Sequence, residues 1–193
     1  MSGNPNTQPS ELIVEPTAAA SWHRLVREAA QACQVQLDEA LEAYLVQTLI
    51  HLTRDLELGQ RAVALEYLQA LQATGSRAGV DLRRVGDHCL LLAGLYPGLA
   101  RRRLVRVSYF VRMGRSAYSH LSARLERQHQ RLFQRLSEAF VHLTDVLHGL
   151  RNEPPFSELE AMEYWQDTGS PAQWRRLNQR FGPGWVSGNS GHQ

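Results

Sequence analysis

One stretch constrains the fold more than any other: from Leu99 to Leu150 there is no proline, and glycine appears only at positions 114 and 149. Apolar residues recur through it three and four apart, as Leu104, Val107, Val111, Gly114, Tyr118, Leu121 and Leu125. The seam meets Gln128 and restarts at Leu132, continuing through Leu136, Phe140, Leu143, Leu147 and Leu150. That period belongs to an α-helix, since a half-buried strand would alternate every second residue. The reading is one long helix over about 99–150, with a phase shift or break near 126–130. A spacing near 3.5 suits either a coiled-coil seam or a buried bundle helix. Gly114 and Ala117 would let a neighbouring helix approach closely.

The rest of the chain carries the same period and almost no alternating β-branched runs. Thr17 or Ser21 can cap a helix ending near Ala32. Others are expected over about 37–53, 60–73 and 80–95, with stops at Thr74-Gly75-Ser76 and Tyr96-Pro97-Gly98. After Pro154-Pro155, Ser157-x-x-Glu160 has capping-box spacing, and Ser170-Pro171 places proline at a first helical position. The expected fold is therefore all-α: a helical bundle over 11–151, a small helical appendage over 152–181, and Gly-, Pro-, Ser- and Asn-rich tails at 1–10 and 182–193.

Composition narrows the chemistry. All 21 basic residues are arginine, which excludes a lysine Schiff base and a phosphate loop ending in Lys-Ser or Lys-Thr. Cys33 and Cys89 each sit in an apolar helical pattern and read as reduced core residues. The first ten residues lack the basic and apolar regions of a secretory signal, so a cytoplasmic location is expected. The densest apolar run, Cys89 to Leu95, falls well short of the roughly 20 residues of a membrane span, and no membrane partner is expected.

The net charge of +2 conceals strong segregation. Residues 1–82 hold 5 arginines and 10 acids, residues 83–135 hold 12 and 2, and residues 136–193 hold 4 and 7. At 100° per residue, Arg102, Arg106, Arg124 and Arg127 share a face opposite the apolar seam, with Arg112 to one side. Guanidinium groups grip phosphates with paired hydrogen bonds, so this face is a candidate for nucleic acid or another polyanion. The competing reading is structural, with the arginines paired to Glu28, Asp38, Glu39, Glu42, Asp55 and Glu57 of the N-terminal helices. No zinc-finger, RNA-recognition or OB-fold signature is present.

The C-terminal segment interleaves aromatic and basic residues as Trp174, Arg175, Arg176, Arg180, Phe181 and Trp185. Trp165 and Trp174 read as docking the appendage on its core, whereas Trp185, in a Gly-rich tail, is the better candidate for a partner contact. Glu126 with His129, and Asp145 with His148, have the three-residue spacing of carboxylate-bridged metal bundles. Along a continuous helix the two pairs would stand roughly 28 Å apart. Glu126 and His129 are thus weak metal candidates. Asp145 and His148 point away from the seam, and Glu138, His142 and Asp145 read as a solvated ion-pair stripe. Asp87 and His88 interrupt an apolar helix and could line a ligand pocket or form an ion-pair hub. No complete catalytic set or cofactor fingerprint is readable. The expected function is non-enzymatic binding through a protein partner or a second copy of the chain. Polyanion binding comes next, then a metal- or ligand-binding bundle enzyme.

Overall fold

The computed structural model describes residues 17–52, 63–151, 154 and 156–182. Among these there are ten helices and no strand, so the protein is all-α. They are α1 (Ala18–Ala32), α2 (Glu39–Leu52), α3 (Val63–Gln72), α4 (Gly75–Gly94), α5 (Pro97–Arg102), α6 (Val107–Ser122), α7 (Arg127–Glu138), α8 (Phe140–Gly149), α9 (Glu158–Thr168) and α10 (Pro171–Phe181). No described helix is long and apolar enough to cross a membrane.

The helix ends follow local chemistry where a side chain can supply it. Thr17 Oγ1 accepts from the Ala20 N–H (3.2 Å), and Asp38 Oδ1 accepts from Ala40 and Leu41 (3.0 and 3.1 Å) to start α2. Ser157 and Glu160 form the reciprocal capping box of α9, and the Ser170 hydroxyl accepts from Gln173 N to start α10. α4 begins at Gly75, about five residues earlier than its apolar pattern suggests.

The stretch from 99 to 150 is not one helix, and not one helix with a single break. It is divided among α5, α6, α7 and α8. The first interruption is closed by backbone alone. Val105 N–H bonds the Ala100 carbonyl (3.1 Å) and Leu104 N–H the Arg101 carbonyl (3.0 Å), a Schellman terminus with Leu104 in the left-handed position at φ 56°. Gln34, at φ 51°, closes α1 in the same way. Glycine normally takes this place, so neither terminus is signalled by residue type. Leu104 consequently leaves the apolar seam and stands 95% exposed. Relief of its left-handed strain in Leu104→Gly is expected to stabilise the fold by about 0.5–1 kcal/mol. Urea unfolding monitored by circular dichroism would read this as a higher midpoint with unchanged slope.

The second interruption, at 123–126, reverses the chain. α6 and α7 therefore run antiparallel, tied by Ser137 Oγ donating to the Arg115 carbonyl (2.9 Å) and Arg115 Nε donating to that of Ser137 (3.2 Å). Both arms face the same core, which is why a spacing of three and four persists across the turn.

α4 is the central strut, packed by α3, α6 and α8. Three glycines make that contact close. A Cβ on Gly86 would lie 2.3 Å from the Tyr118 ring, one on Gly94 2.5 Å from Leu147, and one on Gly114, from the α6 side, 2.8 Å from the Cβ of Cys89. The appendage closes over the outer side of α8. Its Phe156, Ala161, Tyr164 and Leu177 join the same buried cluster as Leu90, Leu143 and Leu147.

Candidate functional site

The first half of α4 and the elbow between α6 and α7 stand apart, leaving an open groove of about 840 Å³. Gly75, Ser76, Gly79, Val80 and Arg83 line it from α4, while Leu121, Arg124, Leu125, His129 and Phe133 line it from the elbow and α7. The floor is apolar, and the charged lining groups among the described residues are Arg83 and Arg124. Val80 is 67% exposed, and Gly75 and Gly79 keep the α4 wall low. Small wall, apolar floor and few polar groups are the usual ingredients of a binding cleft.

A buried polar cluster fixes the inner wall. Tyr44 and Tyr118 both donate to Asp87 Oδ1, at 2.6 and 2.7 Å. Arg83 Nε donates to the Tyr44 hydroxyl (3.2 Å), lies 3.7 Å from Asp87 Oδ2, and its guanidinium covers the Tyr44 ring at 5.2 Å. Phe133 packs edge-on against Tyr44 and tilted against Tyr118, each at 5.8 Å. Burial pushes the Asp87 carboxyl above its usual range despite the two phenols and Arg83. Burial and the neighbouring Asp87 charge hold both phenols protonated. The cluster thus orients Arg83 and Phe133 toward the groove.

Asp87 and His88 do not share a pocket. Successive helical residues diverge by about 100°, so Asp87 turns toward α2 and α6, while His88 Nδ1 faces Glu66 Oε2 of α3 at 3.6 Å.

The arginine face expected from one continuous helix is also dispersed, because the chain breaks between its members. Arg102 ends α5, Arg106 precedes α6, Arg112 lies on α6, Arg124 follows it, and Arg127 opens α7. The acidic partners come largely from α9 rather than the N-terminal helices. Arg106 pairs with Asp167 (3.3 Å) and Glu163 (3.9 Å), Arg101 with Glu160 (2.8 Å), and Ser108 Oγ donates to Asp167 (2.7 Å). Glu42 instead holds His23 and Arg27, and Glu28 holds Arg24. Asp38 pairs with an arginine of the basic segment, Arg135, and so does Asp81, with Arg84 within α4. Asp55 and Glu57 lie outside the described residues.

The stripe of Glu138, His142 and Asp145 is not solvated throughout. Glu138 and His142 are exposed, but Asp145 is 0% and His148 6% exposed. Burial follows because α9 and α10 cover the polar side of α8. Asp145 accepts from Ser170 Oγ (2.7 Å) and Ala172 N (3.3 Å), so it anchors the start of α10. Burial lifts its carboxyl to about 6. His148 Nε2 lies 3.0 Å from the Ala93 carbonyl. A carbonyl only accepts, so Nε2 carries the proton, and burial lowers this histidine to about 4.

Glu126 precedes α7 and is exposed, and His129, one turn on, lines the groove. No group of three or more His, Cys, Asp or Glu among the described residues is placed to hold a metal ion. Trp174 stacks on Trp165 at 4.7 Å, joining α10 to α9. Trp185 lies outside the described residues. The residues passed over in the sequence are Arg83, Val80, Leu121 and Phe133. Their local signal is a Gly75-x-x-x-Gly79-x-x-x-Arg83 line at helical spacing. No protein-family model, curated protein or solved structure matches the chain.

Proposed function

We propose that this is a non-enzymatic helical binding protein that acts by holding another polypeptide, a protein partner or a second copy of itself. The observation that carries the reading is the groove between α4 and the α6–α7 elbow, with its apolar floor and its rim of Arg83, Arg124 and His129. Binding is favoured over chemistry by the cluster beneath it. There the phenols of Tyr44 and Tyr118 are held protonated by burial and by Asp87, as structural donors rather than bases. A photo-crosslinking amino acid at Val80, in the full chain expressed in its own cells, tests this. A covalent adduct with a polypeptide is expected, and light scattering of the purified chain separates a second copy from a different protein. Absence of any polypeptide adduct would overturn the proposal.

A second reading, polyanion binding, is favoured by one observation. Arg102, Arg112 and Arg127 are exposed and make no ion pair among the described residues. It predicts retention on heparin that weakens steeply with salt and falls in the Arg102→Glu, Arg112→Glu double variant. Elution of wild type and variant at the same low salt would dismiss it.

A further inference from the structure

We infer that the groove between α4 and the α6–α7 elbow takes an amphipathic helix of a partner protein whose apolar stripe is edged by carboxylates. The inference rests on the binding reading above and names the chemistry of its partner. Charge supplies the first support. Two arginines and a histidine line the groove, and no Asp or Glu among the described residues does. The carboxylate beside Arg83, Asp87, is taken up by Tyr44 and Tyr118. The cations also keep donors to spare. Arg83 bonds Tyr44 through Nε, leaving both terminal nitrogens for an end-on carboxylate. Arg124 uses one terminal nitrogen on the Leu71 carbonyl (3.2 Å) and keeps the other.

Shape supplies the second. A Cβ on Gly75 would meet nothing within 4 Å, and one on Gly79 only Leu121 Cδ1 at 3.6 Å, so the α4 wall lets a partner backbone come close. From Gly75 to Arg83 the wall rises roughly 12 Å, just over two helical turns. That length matches apolar anchors at i, i+3 or i+4, and i+7 of a docked helix. Val80, Leu121 and Phe133 offer those anchors an apolar seat. A phosphate backbone would have no use for that floor, which sets the groove apart from the dispersed arginines Arg102, Arg112 and Arg127.

The test is selection of random 16-residue peptides displayed on phage against the full chain, followed by synthesis of the consensus. The expected consensus has apolar residues at i, i+3 or i+4, and i+7, with Glu or Asp on the flanks. Its affinity should fall at least tenfold in Val80→Glu and in Arg124→Glu, two exposed positions whose replacement spares the core. Exchanging a flanking Glu of the peptide for Arg should restore binding to Arg124→Glu, which a merely unfolded variant could not do. Several outcomes would overturn the inference: no enrichment, a consensus without carboxylates, or affinity unmoved by Val80→Glu. Another is displacement by a synthetic peptide of residues 1–16, whose Glu11 to Glu15 stretch is also acidic and apolar, because it assigns the groove to the chain itself. In each case a polypeptide adduct at Val80 would still support the broader binding reading, and only its absence would remove both.

Discussion

Replacement of Gly114 by valine is expected to cost the protein about 3 kcal/mol or more, and replacement by alanine about 1–2 kcal/mol, although both substitutions improve helix propensity. Alanine in a helix interior gains up to about 1 kcal/mol over glycine, so the sign is decided by space. At Gly114 there is none. A Cβ would lie 2.3 and 2.5 Å from Phe140 ring carbons and 2.8 Å from the Cβ of Cys89. Phe140 is fully buried and packs on Tyr118 at 5.8 Å, so its ring has nowhere to swing. Cys89 Cβ can retreat only if α4 moves. Tyr118 is itself seated against Gly86, so a displaced Phe140 would disturb a second close contact between α4 and α6. Gly79 is the control on the same helix pair, with only Leu121 Cδ1 at 3.6 Å from its added Cβ. Gly79→Ala is expected to stabilise by about 0.5–1 kcal/mol. Urea midpoints for the two alanine variants should therefore move in opposite directions. Movement in the same direction would show that α4 and α6 are not packed through Gly114.

That contrast marks where the sequence is legible. Gly114 and Ala117 stand out as small residues within an apolar seam, so a close helix contact there is readable without coordinates. The capped starts at Thr17, Ser157 and Ser170 are equally readable, because side chain and backbone meet within three residues. The end of α1 at Ala32 also falls where the apolar stripe stops, although its left-handed closure at Gln34 is not signalled by residue type. The break after Arg102 is not readable: it is closed by backbone hydrogen bonds around a left-handed Leu104, which does not announce that conformation. Once the long helix is divided, the shared face of Arg102, Arg106, Arg124 and Arg127 dissolves with it. Long-range coverage is hidden for a different reason. Arg106 meets Asp167 across 61 residues, and Asp145 is buried by a helix that starts more than twenty residues later. Helical periodicity correctly puts Asp145 on the less apolar side of α8, and says nothing of what covers that side. The groove suffers similarly. Arg124 and His129 attract attention for their charge and spacing, but their common setting requires α4, and Arg83 with it, to stand opposite the elbow.

The buried pair on α8 is expected to conceal two opposing pH dependences that single substitutions will expose. Asp145 titrates near 6 in the fold, against an ordinary 3.8. Between these values the native state holds more protons than the unfolded state, so this group's contribution to stability declines as pH rises from about 4 to 6. His148 titrates near 4, against 6.5. Here the unfolded state holds more protons, and the contribution increases as pH rises from about 4 to 6.5. Each displacement of about two pKa steps corresponds to roughly 3 kcal/mol, so the two contributions nearly cancel in the wild-type protein. Asp145→Ala removes the falling contribution. It also leaves Ser170 Oγ and the Ala172 N–H buried without their acceptor, for an expected loss of about 2–3 kcal/mol at neutral pH. Relative to wild type, its stability should climb by up to about 3 kcal/mol between pH 4 and 6. His148→Gln, whose amide can still donate to the Ala93 carbonyl, removes the rising contribution, and its stability should decline relative to wild type over pH 4 to 6.5. Urea unfolding at half-unit pH intervals reads both slopes. Curves parallel to wild type in both variants would mean that α9 and α10 do not cover this pair, and the anchoring of the appendage through Asp145 would fall with it.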